Sequence, residues 1–413
     1  MRGNAGGAVA PATGDRDTGD RDTGDRHAGR HIENRHAGGR RGWAAVAALA
    51  AGAFTTGTDM FVAAGILGGI ARDLGVTAGA AGLTVTVFAV TYATGAVLLS
   101  ALLSARPARR VLIGSMALFG TLSVLSALAP SFPVLLAARG MAALAASVYV
   151  PAAGAAAVEA VPPSHRGRAL GGTSAAMVAG TPLGMLLASA LSWRAAFGLV
   201  AALAAVTVLA LLRTGAGGSC RLTRASLRER LRPLGSPAVA GVLGVTFLVM
   251  TASFGMYTYL PLLLAAAPVA LGVAAGAFGV GGMAGTWWGG AAADRSGARR
   301  VVVLTVSLLA TGFWALPLLA TSAAGTLAVV AGWGLAAWGF IPAQQHRLIG
   351  SGGGPPPLLL ALNSSAVHLG SAAGALFGGL VVDAAGAGAL WSLAVTCCAA
   401  GLALHTMLTG KAG

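Results

Sequence analysis

Gly290-Ala-Ala-Ala-Asp294-Arg295-Ser296-Gly297-Ala298-Arg299-Arg300-Val301 has a counterpart earlier in the chain, Ser100-Ala-Leu-Leu-Ser104-Ala105-Arg106-Pro107-Ala108-Arg109-Arg110-Val111. The two align without a gap and end on the same Arg-Arg-Val. Each is a short basic connector between long apolar runs. Repeats of this kind mark membrane transporters whose halves are related by an axis along the membrane normal, with the site between the halves.

The composition agrees. The chain of 413 residues is 56% hydrophobic and 9% charged, against roughly 25% charged in a soluble domain. Lipid must therefore be the solvent for most of it. A helix crosses a bilayer with about 20 apolar residues. Such runs fall at 43–70, 82–104, 110–129, 133–158, 168–191, 194–213, 236–264, 268–292, 299–321, 325–346, 357–382 and 387–409. They are continuous and not alternating, which excludes a β-barrel. The expected fold is an all-α membrane protein, with twelve transmembrane helices in two pseudo-symmetric six-helix bundles.

The charges set the expected orientation. Arg40 and Arg41 precede span 1, Arg106, Arg109 and Arg110 follow span 2, and Arg166 and Arg168 follow span 4. Arg213 to Arg232 lie between spans 6 and 7, Arg295, Arg299 and Arg300 between spans 8 and 9, Arg347 between spans 10 and 11, and Lys411 after span 12. The other set of loops holds Arg72 and Arg194. Cytoplasmic loops collect Lys and Arg, so both termini are expected in the cytoplasm. The net charge of +15 is read in the same way, as topology and not as nucleic-acid binding.

Five segments follow. Residues 1–41 hold the repeat TGDRD and no apolar run, and are expected to be a disordered cytoplasmic tail. Residues 42–213 form one six-helix bundle, 214–235 a basic cytoplasmic linker, 236–409 the second bundle, and 410–413 a short tail. The linker stretch 224–234 suits a short amphipathic helix on the inner leaflet as well as a solvated strand of chain. Cys220, Cys397 and Cys398 offer neither a disulfide framework nor metal-ligand spacing.

The second connector, with Gly290, Asp294, Arg295, Gly297, Arg299 and Arg300, resembles the cytoplasmic loop motif of the major facilitator superfamily. Arg139 is similar to the single arginine of span 4 in that family. Gly180-Thr181-Pro182-Leu183-Gly184 resembles its Gly-Pro antiporter motif. Thr58-Asp59-Met60-Phe61, followed by Ile70 to Val76, looks like span 1 of bacterial drug:proton antiporters. Pro342 to Gln345 and Leu362 to Ser365 resemble the branch that holds chloramphenicol-resistance proteins and arabinose-efflux permeases. The resemblance covers 43–409. It implies alternating access driven by a proton gradient, a bacterial cell membrane, no cofactor, and a monomer with a small-molecule substrate. The first connector departs from the motif: Ser104 stands where the family has Asp, beside Ala105, Arg109 and Arg110. The expected consequence is a weaker lock on the outward-facing state. The resemblance also implies that the bend at Pro182 faces the other half.

An ionisable side chain inside a span is expensive and functional by default. Asp59 lies roughly 24 Å along span 1 from its inner edge, at 1.5 Å per residue, and Arg139 roughly 9 Å below the outer surface in span 4. The two are therefore expected at similar depth. Desolvation favours a protonated carboxyl and a nearby guanidinium favours an ionised one. A carboxyl between those influences can exchange a proton, with a static ion pair as the alternative. Tyr257, Gln344, Gln345, Asn363 and His368 are candidate cavity residues, although His368 also suits a packing role. The expected function is proton-coupled export of a small, largely apolar organic compound. Uptake of a sugar or other metabolite by proton symport is the alternative. The chain has no HExxH, no GxSxG and no paired intramembrane carboxylates, so an enzyme is not expected.

Overall fold

In the computed structural model the described residues are 21–102, 106–162, 165–218 and 227–410. They fold into long helices joined by short connectors. In the first half these are α1 (Arg21–Gly65), α2 (Ala78–Leu102), α3 (Ala108–Ala127), α4 (Phe132–Glu159), α5 (Arg166–Ala190) and α6 (Trp193–Thr214). In the second half they are α7 (Pro237–Thr258), α8 (Leu271–Ser296), α9 (Ala298–Leu319), α10 (Ala323–Gly350), α11 (Pro356–Ala385) and α12 (Leu390–Gly410). Ten of these are long and apolar enough to cross a membrane by length and composition alone. The other two are α5, several of whose side chains lie outside the described residues, and the glycine-rich α8. Lipid is the solvent for the outer faces, where Val206, Leu209, Val280, Trp287, Leu304 and Leu318 are exposed.

The repeat read from the loops is present in the backbone. Helices α3 and α9 begin at aligned residues, Ala108 and Ala298. In each, the first alanine and the valine three residues on are buried, Ala108 with Val111 and Ala298 with Val301. Helices at equivalent places also pack through equivalent small residues. Gly180 and Gly184 of α5 lie against the α1 backbone at Thr58 and Val62, while Gly370 and Gly374 of α11 lie against α7 at Thr251 and Gly255. In lipid no hydrophobic force drives helices together, so close backbone approach through small residues supplies the cohesion.

Several elements differ from the sequence expectation. The helix carrying span 1 starts at Arg21, within the stretch expected to be a disordered tail over 1–41. Once span 1 supplies a helical nucleus, each added residue needs no new nucleation. Residues 1–20 lie outside the described residues, as do Ser104 and Cys220. Span 1 ends at Gly65, and the short helix Leu67–Leu74 takes up the rest of its apolar run. The linker carries a five-residue helix, Leu227–Leu231, and a 3-10 turn, Arg232–Gly235. That is shorter than the amphipathic helix considered for 224–234, whose first residues lie outside the described part.

The two arginines on the less basic face lie at helix ends. Arg194 donates to the carbonyls of Ala127 at 2.9 Å and Ala129 at 3.1 Å, capping the end of α3. Arg72 lies in the last turn of the Leu67–Leu74 helix. Its neighbour Asp73 accepts from Trp193 Nε1 at 2.7 Å.

Candidate functional site

Asp59 of α1 and Arg139 of α4 meet in the first bundle. Arg139 Nη1 lies 2.7 Å from Asp59 Oδ1 and 2.9 Å from Oδ2. The side chains are 0% and 1% exposed, so the pair is removed from water. The guanidinium also lies between two rings, 4.5 Å from the centroid of Phe88 and 4.9 Å from that of Phe197. Arg139 Nε has no partner. That nitrogen belongs to a residue lining a small chamber whose other walls include Tyr257, Thr258 and Ser371 of the second half. The hydroxyls of those three residues are likewise buried without partners. The ion pair thus borders the interface between the halves.

A larger cavity lies next to it, with about 830 Å³ of empty space counted out to its mouth. Met60 and Phe61 of α1 and Met177 of α5 form the first-half wall. The second half contributes Phe254, Tyr257, Phe278 and Trp338, and a polar edge of Gln345, Asn363, Ser364 and His368. The aromatic rings support one another. Phe61 packs edge-on against Tyr257 at 5.4 Å and tilted against Trp338 at 6.0 Å. Trp333, behind them, donates from Nε1 to Ser253 Oγ at 2.8 Å.

The halves close on each other at the less basic end of α2 and α11. Thr77 Oγ1 donates to Asp383 Oδ2 at 2.9 Å and the Gly79 amide to Asp383 Oδ1 at 3.1 Å. Asp383 therefore sits at the N-terminus of α2, where the helix dipole favours a negative charge. Deeper in, Thr86 donates to the Ala372 carbonyl at 3.3 Å, and Tyr259, which donates to the Ala375 carbonyl of its own half at 2.8 Å, packs against Gly82 of α2. Below these, Tyr92 stacks on His368 with centroids 3.9 Å apart. The cavity lies on the arginine-rich side of this seal.

Four of the five cavity candidates line the cavity: Tyr257, Gln345, Asn363 and His368. Gln344 does not. Its Nε2 donates to the Val242 carbonyl at 3.0 Å and to Thr246 Oγ1 at 3.2 Å, and its Oε1 accepts from Arg347 at 3.0 Å. Adjacent helical residues point about 100° apart, so Gln344 and Gln345 cannot share a face. In the antiporter motif, Gly180 and Gly184 face α1 of their own half. The same helix, α5, also packs against α8 of the second half. The Pro182 side chain lies outside the described residues.

The loop motif lies apart from the cavity. Gly297 takes φ of 88° between α8 and α9, a conformation that glycine adopts without strain. Asp294, Arg295, Arg299 and Arg300 are exposed. Asp294 approaches His346 at 3.9 Å, an exposed contact of little worth. Gly290 faces Pro342 across α8 and α10. In the first copy Arg109 reaches the Leu212 carbonyl at 3.4 Å, and Arg110 is exposed. The sequence reading missed Asp383 and Tyr92. Asp383 was visible as a lone acid at the end of span 11, while Tyr92 gave no signal.

Two repeated six-helix bundles around a cavity closed at one end define a multi-pass membrane transporter. The family model of the Major Facilitator Superfamily matches residues 49–351, and the chain belongs to that superfamily. It is 34% identical over 350 residues to the inner membrane transport protein YdhP of Escherichia coli O157:H7, spanning 82% of this chain and 88% of that one. It is 36% identical over 293 residues to a chloramphenicol resistance protein of Streptomyces lividans, spanning 68% and 74% of the two chains. A chloramphenicol efflux pump of Mycobacterium tuberculosis is 31% identical over 355 residues. Among solved structures, an inward-facing bacterial homologue of the human lysosomal transporter Spinster superposes with a TM-score of 0.69 at 16% identity, covering 89% of this chain and 95% of that one. That likeness bears on the fold.

Proposed function

We propose that this transporter exports a small, largely apolar organic compound in exchange for protons, with Asp59 as the group that carries the proton. The observation behind this reading is the buried Asp59–Arg139 pair at 2.7 Å, set beside an aromatic cavity that no charged side chain lines among the described residues. The names of the relatives from Streptomyces lividans and Mycobacterium tuberculosis point the same way.

With the arginine-rich loops in the cytoplasm, the cavity opens inward and the Asp383 seal lies outside. Protonated Asp59 would be neutral and would release Arg139 from its partner. Loss of the proton restores the carboxylate and the pair. Access of cytoplasmic water to the open cavity favours release of that proton, and cargo then enters beside the restored pair. The halves then rock, the Asp383 contacts part, and cargo leaves outward. A proton from outside returns Asp59 to its neutral form and resets the cycle.

Expression in an efflux-deficient bacterium, challenged with a panel of antibiotics, tests the reading. Raised resistance that is lost in Asp59→Asn at equal membrane abundance is the expected result. Lower resistance with compound accumulating in the cell would reverse the direction of transport.

A further inference from the structure

His368 stands where the cavity meets the seal between the halves. It lines the cavity, is 4% exposed, and its ring is held at two places. Nδ1 lies 2.8 Å from the Ser364 carbonyl, one turn back on α11. The ring face stacks on Tyr92 of the first half, nearly parallel at 12°. Its remaining polar atom, Nε2, is buried with no partner.

We propose that His368 Nε2 is the acceptor that selects the cargo, and that the cargo is an uncharged aromatic compound carrying an O–H or N–H donor. The proposal rests on reading the cavity as the cargo site. A carbonyl only accepts, so the short contact to Ser364 commits Nδ1–H as donor. In the neutral ring Nε2 is then a lone-pair acceptor and nothing else. A buried acceptor left empty is costly, and a ligand that supplies a donor recovers that cost. The walls set the rest of the cargo's chemistry. Phe61, Phe254, Tyr257, Phe278 and Trp338 offer ring faces and edges, which suit an aromatic body. Among the described residues no Asp, Glu, Lys or Arg lines the cavity, so a charged cargo would lose its hydration without gaining a counter-charge. The Tyr92 stack and the Ser364 bond hold the ring, so the acceptor is oriented before cargo arrives and little ordering is lost on binding.

The test uses the purified full chain in detergent and a matched pair of probes, 1-naphthol and 1-methoxynaphthalene, titrated calorimetrically with empty micelles subtracted. The two probes share the ring system and differ in the donor. The expected result is roughly tenfold tighter binding of the naphthol by the wild type, the worth of one buried hydrogen bond. His368→Phe keeps a ring to stack on Tyr92 but has no acceptor, and should bind both probes equally. His368→Gln restores an acceptor without the ring and should recover part of the preference. Equal binding of the two probes by the wild type, or an unchanged preference in His368→Phe, overturns the role of His368 and leaves the apolar cargo reading standing. Binding of neither probe by the wild type refutes the cargo class, and the proposal with it.

Discussion

Asp59→Asn should destabilise the folded protein more than Arg139→Leu does, and the order follows from the chemistry of the pair. Both side chains are fully removed from water. Breaking a buried pair by removing one partner costs about 3–5 kcal/mol, because the other charge is left uncompensated. In Asp59→Asn that charge is a guanidinium, which cannot shed its proton. The rings of Phe88 and Phe197 stay in place, but they contribute to wild type and variant alike. The Asn oxygen still accepts one hydrogen bond, which puts the cost near the lower end, about 3 kcal/mol. In Arg139→Leu the stranded group is a carboxyl, which escapes its penalty by binding a proton. The cost then falls toward that of an unpaired buried polar group, about 1–3 kcal/mol. The double variant Asp59→Asn/Arg139→Leu carries no buried charge and should recover most of the loss. Thermal unfolding of the purified proteins in detergent, followed by tryptophan fluorescence, ranks the four. The expected order of midpoints is wild type, double variant, Arg139→Leu, Asp59→Asn. A melting point of Asp59→Asn equal to wild type, or one above Arg139→Leu, would refute the reasoning.

Three further outcomes are expected. Gly184→Val should lower the yield of monodisperse protein in fluorescence-detected size exclusion, because its Cβ would meet the Thr58 carbonyl at 2.6 Å and the Val62 amide at 2.9 Å; overpacking of this kind costs about 1–3 kcal/mol. Asp383→Ala removes the acceptor shared by Thr77 and Gly79, and should raise labelling of a cysteine at Thr86 by an impermeant maleimide on whole cells lacking the native cysteines. Gln344→Ala should lower the melting point, through a loss of about 1–3 kcal/mol of stability from buried hydrogen bonding, with its cargo range unchanged. Gln345→Ala should do the reverse, altering the resistance spectrum while the melting point holds.

The spans were legible because hydropathy and charge act locally along the chain. Even α5 and α8, which hold many glycines, were bounded by arginines and turns. The two-fold repeat was legible in one loop, since Ala108 and Ala298 start equivalent helices. The pairing of Asp59 with Arg139 followed from depth alone, because two ionisable groups buried at one level in lipid have few other partners. Facing directions were harder to read. Gln344 and Gln345 look alike in sequence and turn to opposite surroundings. The glycines at 180 and 184 suit contact with either half, and neighbouring backbones decide which. The seal at Asp383 and the Tyr92–His368 stack join residues 306 and 276 positions apart in sequence, and no local pattern encodes such a meeting.

Whether Asp59 carries the exchanged proton is decided most directly in proteoliposomes containing a trapped pH dye, with an exported antibiotic from the resistance panel supplied as an outward or inward gradient. The wild type should move protons against the cargo gradient. Asp59→Asn and the charge-free double variant should move none, while still exchanging labelled for unlabelled cargo across the membrane. That exchange shows each variant to be folded and able to alternate. Cargo-driven proton movement that persists in the double variant would contradict the role assigned to Asp59.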